Sequence, residues 1–271
     1  FVTAFGLWAG TPQATQALPW LELLLRGAQI LQLSNMSDRQ EVALGEQIND
    51  QLTAQLAENG TPILDDERLT RYVNNIGQKL AAQSDRPDIP YTFQIVADRG
   101  INAFATMGGF VYVNAGLMAL AENEAELASV VSHEIGHIVG RHAVNQMKDR
   151  AIAAGVMSAA GLDRSAAVQI GVQLALNLPN SREDELEADQ TGLEDLRAAS
   201  YDPRAMVTFM QKLQQQSRGR VPTILSTHPA TDDRIAILQQ ALAENPPQPD
   251  ENQGTNAQAY TNNIKPLDRL R

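Results

Sequence analysis

A chain of 271 residues with 43% hydrophobic and 20% charged side chains has a globular composition, and with aromatics at only 5% its core must be largely aliphatic. The 32 acidic against 21 basic residues give a formal net charge of -11, which would repel a phosphate backbone and argues against nucleic acid as a partner. The absence of cysteine excludes disulfides, thiolate metal sites, iron–sulfur clusters and a cysteine nucleophile.

The chain opens on Phe1 rather than Met, which suggests trimming, and stays uncharged through Leu21. Pro12 and Pro19 argue against a membrane-spanning helix there. Leu18 to Leu33 is apolar apart from Glu22 and Arg26 and suits a buried or interfacial helix. Residues 1–37 therefore form an apolar arm, read either as the remnant of a targeting segment or as a packing arm.

Ser37 or Asp38 caps a helix that runs to Glu58, where Asn59-Gly60 stops it. Within Asp65–Gln83, Leu69, Tyr72, Val73, Ile76 and Leu80 recur at helical spacing. The period then shortens to two over Tyr91–Val96, a half-buried strand. A second β-rich run, Phe110–Val113, is entered through Gly108-Gly109, and Ile101–Ala105 is a short strand between the two. Beyond Gly116 the helical period returns. The pattern predicts one long helix over Asn123–Gln146 and an Ala-rich segment over Ala151–Leu178 interrupted by Asp163 and Arg164. Further helices are an acidic one over Ser181–Ala199, one opened by Asp202-Pro203, and one capped by Thr231 that ends near Leu242. No segment has the roughly 20 apolar residues of a membrane span. From Asn245 onward Pro, Gln, Asn and Asp dominate, so residues 245–271 are expected to form a flexible polar tail. The fold class is α+β, mostly α, with residues 38–244 as the folded domain.

The chemistry is carried by His133-Glu134-Ile135-Gly136-His137, placed inside the long helix. Residues at i and i+4 share a helical face, so both imidazoles can reach one metal ion, with Glu134 beside them as a base. A catalytic zinc needs a third protein ligand and an open position for water. Without cysteine, the candidates are His142, His228 or a downstream carboxylate. His142 follows His133 by nine residues, half a turn out of phase in a continuous helix, and should point away. Glu185 and Asp189 are again i and i+4. One could bind the ion while the other accepts the far ring N–H of a ligand histidine. A solvated acidic helix face is the competing account of the same run.

These pieces resemble the zinc metallopeptidases of the HtpX, BepA and CAAX-prenyl-protease group, which are gluzincins. The matching stretches are Asn102-Ala-Phe-Ala, Gly108-Gly-Phe-Val-Tyr-Val-Asn-Ala-Gly-Leu, Glu124-Ala-Glu-Leu-Ala, His133-Glu-Ile-Gly-His with Arg141-His142, Ser181-Arg-x-x-Glu-x-Glu-Ala-Asp189, and Ser226-Thr-His-Pro229. They span Asp38 to about Leu242. The resemblance implies a gluzincin fold with a small β-sheet beside the helix of the histidine motif and one Zn2+ per chain. It implies His133, His137 and Glu185 as ligands, Asp189 behind His133, and Glu134 as catalytic base. Glu183 and Glu187 fall off that face. Thr106-Met107 replaces the Leu-Pro expected before the glycine pair, which leaves the local turn open.

In such relatives a His-Pro at the position of His228 approaches the metal, either to stabilise the oxyanion or to fill the open site and hold the enzyme inactive. A turn residue ahead of a helix is the plainer account. Arg234 could point at the site or pair with the acidic helix. The resemblance also implies that Phe110, Val111, Tyr112, Val113 and Asn114 form a sheet edge that binds substrate as an added strand. The expected function is zinc-dependent endopeptidase activity on protein or peptide substrates, and the resemblance implies a place in protein quality control. The alternative is an autoinhibited or silent chaperone module on the same scaffold. Export to a periplasmic or membrane-associated location is expected, with peripheral membrane contact through the apolar arm.

Overall fold

The computed structural model describes residues 36–153, 164–177, 179–216, 221–229 and 231–270. The expected apolar arm, apart from Met36 and Ser37, lies outside the described residues, as does the middle of the Ala-rich segment. Helix α1 (Asp38–Glu58) starts at Ser37, whose hydroxyl and the side chain of Gln40 form a reciprocal capping box. In α2 (Glu67–Ala81) the Asp66 carboxylate caps by accepting from the Arg68 and Leu69 amides. Its apolar face, Leu69, Val73, Ile76 and Leu80, is buried as the spacing predicts.

The three strands β1 (Thr92–Val96), β2 (Ala103–Thr106) and β3 (Phe110–Asn114) form one sheet in the order β1-β3-β2. β1 runs parallel to β3 with Phe93 opposite Val111, and β2 is antiparallel to β3 with Phe104 opposite Tyr112. Gly108 and Gly109 turn the β2–β3 hairpin at φ 81° and 98°, a backbone that side chains avoid. Thr106 still pairs with Phe110 and Met107 is buried, so the departure from Leu-Pro leaves the hairpin intact.

This topology corrects the expected substrate edge. Phe110, Val111, Tyr112, Val113 and Asn114 form the central strand, hydrogen-bonded on both sides and buried at every position. A continuous apolar run covered on both faces belongs at the centre of a sheet. Phe93, Ile95, Val111 and Val113 face one core cluster; Val96, Phe104, Phe110 and Tyr112 face the other. The strand with an outer edge beside the site is β2.

After α3 (Ala115–Leu120), the expected single helix is two. Helix α4 (Glu124–Val139), capped by Asn123, ends at Gly140, and α5 (His142–Ala153) begins after Arg141, which sits at φ 55°. The His142 ring fills the space beside Gly140, where a Cβ would fall 2.4 Å from its Nε2. Helix α4 is buried from Ala125 to Ile138. Helix α6 (Arg164–Asn177) packs on α1, α5 and β2, and α7 (Arg182–Ala198), capped by Ser181, packs along α4. There follow α8 (Arg204–Gln216), the single turn α9 (Ile224–Thr227) and α10 (Asp232–Glu244), which Thr231 caps.

The expected flexible tail is packed. α11 (Ala257–Ile264) buries Tyr260, whose hydroxyl donates to the Met118 carbonyl at 2.6 Å, and Leu267 joins the same core. Gln253 pairs with the backbone on either side of Tyr201. One large aromatic with its polar end satisfied anchors a segment whose average composition suggests none. Among the described residues, no helix is long and apolar enough to cross a membrane.

Candidate metal centre

Helices α4 and α7 cross at two glycines. A Cβ on Gly136 would lie 2.7 Å from the Ala188 carbonyl oxygen, and one on Gly192 would lie 2.9 Å from the His133 amide nitrogen. The Ser132 hydroxyl donates to the Gly192 carbonyl at 2.6 Å across the same seam. This close approach lets side chains from the two helices meet.

His133 and His137 turn their Nε2 atoms to within 3.0 Å of each other. Glu185 stands opposite, with Oε1 3.3 Å from His137 Nε2 and Oε2 3.5 Å from His133 Nε2. His228 completes the group: its Nδ1 is 3.3 Å from His133 Nε2, 3.2 Å from His137 Nε2 and 2.9 Å from Glu185 Oε1. All four residues are buried and offer ligand atoms within 4.8 Å of one another. Four ligands about 2.0–2.1 Å from a shared centre, as zinc takes them, would be roughly 3.3–3.4 Å apart. The observed separations bracket that spacing, so the donor set fits a tetrahedral divalent ion.

Burial alone would raise the Glu185 carboxyl, but His228, His133 and His137 outweigh it and hold it far below the usual carboxylate range. Burial pushes His137 well below the ordinary histidine value. Burial also opposes charge on His133, yet Asp189 and Glu185 lift it to about 10. Glu134 behaves differently. Its side chain is fully buried, and neither oxygen has a hydrogen-bond partner among the described residues. Burial raises its pKa above the ordinary glutamate value. His228 Nε2 lies 3.6 Å from its Oε1.

The surrounding side chains orient this cluster. Asp189 Oδ1 is 2.9 Å from His133 Nδ1, the position expected for it. Arg234 grips both Asp189 oxygens at 2.7 Å and also donates to Glu185 and to the Pro229 carbonyl, so it faces the site and the acidic helix at once. Glu183 and Glu187 are exposed, as their helical phase predicts. His142 departs from expectation. The break at Arg141 swings it back, and its Nδ1 is 2.8 Å from His137 Nδ1, with Glu187 3.4 Å from its other nitrogen. Asn180 carries no motif signal, yet its amide donates to Glu185 Oε1 at 2.8 Å and sits 3.2 Å from His228 Nδ1. Its place just before the Ser181 cap is the only hint that sequence offers.

Two imidazoles from α4, a carboxylate from α7 packed along it and a buried glutamate without a hydrogen-bond partner among the described residues define a metallopeptidase site of the H-E-x-x-H type. The model of peptidase family M48 matches residues 67–242, and the chain belongs to that family. It is 34% identical over 218 residues to the beta-barrel assembly-enhancing protease of Escherichia coli strain K12, covering 75% of this chain and 44% of that one. It is 32% identical over 180 residues to the mitochondrial metalloendopeptidase OMA1 of Schizosaccharomyces pombe (65% and 53%). To metalloprotease LoiP of Escherichia coli strain K12 it is 28% identical over 230 residues (82% and 88%). The chain spans under half the length of the beta-barrel assembly-enhancing proteases it matches.

Proposed function

We propose that the protein is a zinc-dependent endopeptidase that cleaves protein or peptide substrates. The observation that carries this reading is the convergence of His133, His137 and Glu185 beside an unpaired, buried Glu134. In this reading the three converging residues hold one Zn2+ per chain. Asp189 accepts the His133 Nδ1 proton and fixes the tautomer that leaves Nε2 free for the ion; His142 does the corresponding work behind His137. When bound, the ion supplies Lewis-acid chemistry, acidifying a water and polarising the scissile carbonyl.

Glu134 takes the proton from the attacking water and passes it to the leaving amine nitrogen. Its raised pKa suits both halves of that transfer. Arg234 keeps Asp189 and Glu185 in place rather than touching substrate. The extended substrate adds to the outer edge of β2, where main-chain hydrogen bonds hold it in line. Helix α6 supports this placement: its Gly171, Leu174 and Ala175 face Phe104–Met107 across the cavity that reaches Glu134.

His228 favours a resting state on the same scaffold. Its ring lies between the ligand cluster and Glu134, where the attacking water has to stand. Withdrawal of His228 is then the step that admits water and substrate. The relatives named for beta-barrel assembly support an exported, periplasmic location and a role in protein quality control.

The direct test is Glu134→Gln. Cleavage of an unfolded protein such as casein is expected to vanish while zinc stays near one per chain. Unchanged cleavage would remove Glu134 from the chemistry, and a parent that retains no zinc after dialysis would remove the metal.

A further inference from the structure

The residue that breaks α4 from α5 is an arginine where a glycine would be less strained. Arg141 holds φ 55°, the left-handed backbone that glycine most often supplies just beyond a helix. A large residue keeps such a backbone only where its surroundings fix it. Here its own side chain is fixed. Nη2 donates to the Met36 carbonyl at 2.6 Å, and Nε lies 3.1 Å from Glu41 Oε2, an ion pair off the line of a hydrogen bond. Glu41 stands in the first turn of α1 and is fully buried. Arg86 donates to both of its oxygens, at 3.2 and 2.9 Å, and to the Ile138 carbonyl in the last turn of α4 at 2.8 Å. The Gly108 amide of the β2–β3 turn is 3.4 Å from Glu41 Oε1. One carboxylate thus ties α1 and the hairpin to the end of the helix that carries the histidine motif.

We propose that Glu41 and Arg141 are positioning residues for the metal centre and act through His142; the inference rests on the zinc reading of the site. An imidazole that offers Nε2 to an ion carries its proton on Nδ1 and needs an acceptor there. His133 has the Asp189 carboxylate, and His137 has His142 Nδ1 at 2.8 Å. With that nitrogen accepting, the His142 proton sits on Nε2, which faces Glu187 at 3.4 Å and Asp184 at 3.7 Å. His142 stands there because the chain reverses at Arg141, whereas in an unbroken helix it would point half a turn away. A hydrogen bond to a neutral imidazole is weaker than one to a carboxylate, so its geometry depends more on the backbone that presents it. Closing the core does not require this clamp. Buried ion pairs add little stability over apolar side chains of the same volume, and glycine at 141 would relieve the backbone. What the charged clamp adds is a fixed place for the ring that follows it.

The test measures the zinc affinity of the full chain by competition against a chromophoric chelator, with urea unfolding of the metal-free protein alongside. Arg141→Gly relieves the left-handed backbone and leaves Glu41 paired with Arg86. Glu41→Gln keeps the shape of the side chain and covers the case in which the first variant does not fold. Each should lower zinc affinity by about tenfold or more. His142→Phe keeps a ring beside Gly140 but removes the acceptor, and should lower it by a similar factor. In the His142→Phe background either clamp variant should add less than about a further twofold, because its route to the metal is already gone. Parental zinc affinity in the clamp variants, with or without a lowered urea midpoint, would make the clamp structural only and overturn the inference. An equal fall with and without His142 would overturn it as well; both results leave the zinc site standing. A parent chain that binds no zinc would overturn the zinc reading, and this inference with it.

Discussion

The seam between α4 and α7 sets how closely His133, His137 and Glu185 can converge on the proposed ion. Replacing Gly136 or Gly192 by alanine places a methyl against backbone, at 2.7 Å from the Ala188 carbonyl oxygen or 2.9 Å from the His133 nitrogen. Backbone atoms cannot rotate away as a side-chain tip can. Restoring ordinary contact near 3.4 Å requires the helices to part by about 0.5–0.7 Å, an overpacking that costs on the order of 1–3 kcal/mol of stability. Helix α7 carries Glu185 and Asp189, so the same shift draws the proposed ligand and its orienting carboxylate away from both imidazoles. Zinc affinity should fall by about 10- to 100-fold. Urea unfolding of the metal-free protein reads the first effect, and competition against a chromophoric chelator reads the second. If either variant kept both its unfolding midpoint and its zinc affinity, the close crossing would not be what positions the site.

The two carboxylates in phase with the metal cluster should differ from those out of phase: Glu185→Ala is expected to strip zinc, and Glu187→Ala to retain it, as metal analysis after dialysis would show. Equal losses would break the choice of ligand. His228→Ala should change cleavage rate more than zinc content, with a rise expected if the ring holds the resting state; no change in either would return it to a turn residue. Asp195 gives a pH prediction away from the site. Burial pushes its carboxyl up to about 7, Asp85 and Glu194 add to the push, and Oδ2 has no hydrogen-bond partner among the described residues. The unfolded chain loses this proton near 3.8 and the folded one near 7, so stability falls as pH rises through that window and the penalty is complete above it. Asp195→Asn should stabilise the protein at pH 8 by about 1–3 kcal/mol, below the roughly 4 kcal/mol that 1.36 kcal/mol per pKa unit sets as a ceiling. Its advantage should shrink toward pH 4, and equal urea midpoints for parent and variant at both pH values would refute the linkage.

What was legible in the sequence is what local geometry dictates. The i and i+4 spacings of His133 with His137 and of Glu185 with Asp189 place each pair on one face, and the caps at Ser37, Ser181 and Thr231 stand where the residue types indicate. Phe110–Asn114 was readable as a strand but not as a central one, because pairing partners are set by tertiary topology. Its unbroken apolar run was the clue to burial on both faces. His142 was misplaced because a helical phase argument assumes a continuous helix, and the left-handed turn at Arg141 breaks that phase. Tyr260 and Asn180 were missed for opposite reasons: one is a single anchor within a polar segment, the other a loop residue whose value lies entirely in what it meets.

The charge balance gives the cluster its demand for a cation. Glu134, Glu185 and Asp189 are buried around two imidazoles, and Arg234 is the guanidinium buried among them. Carboxylates removed from water cost several kcal/mol each unless paired. Counted formally, three carboxylates and one guanidinium leave two negative charges in excess, which one divalent ion balances. The environment shows the same demand in another form. Burial opposes a charge on His133, yet the neighbouring carboxylates raise its pKa to about 10, drawing a proton into the position where the ion is wanted. A metal ligand must be deprotonated, so proton and ion compete for the same nitrogen. Asp189 therefore has two effects that follow from one geometry: it strengthens the proton's hold on His133 in the absence of metal, and it strengthens the imidazole as a donor once the ion has displaced that proton.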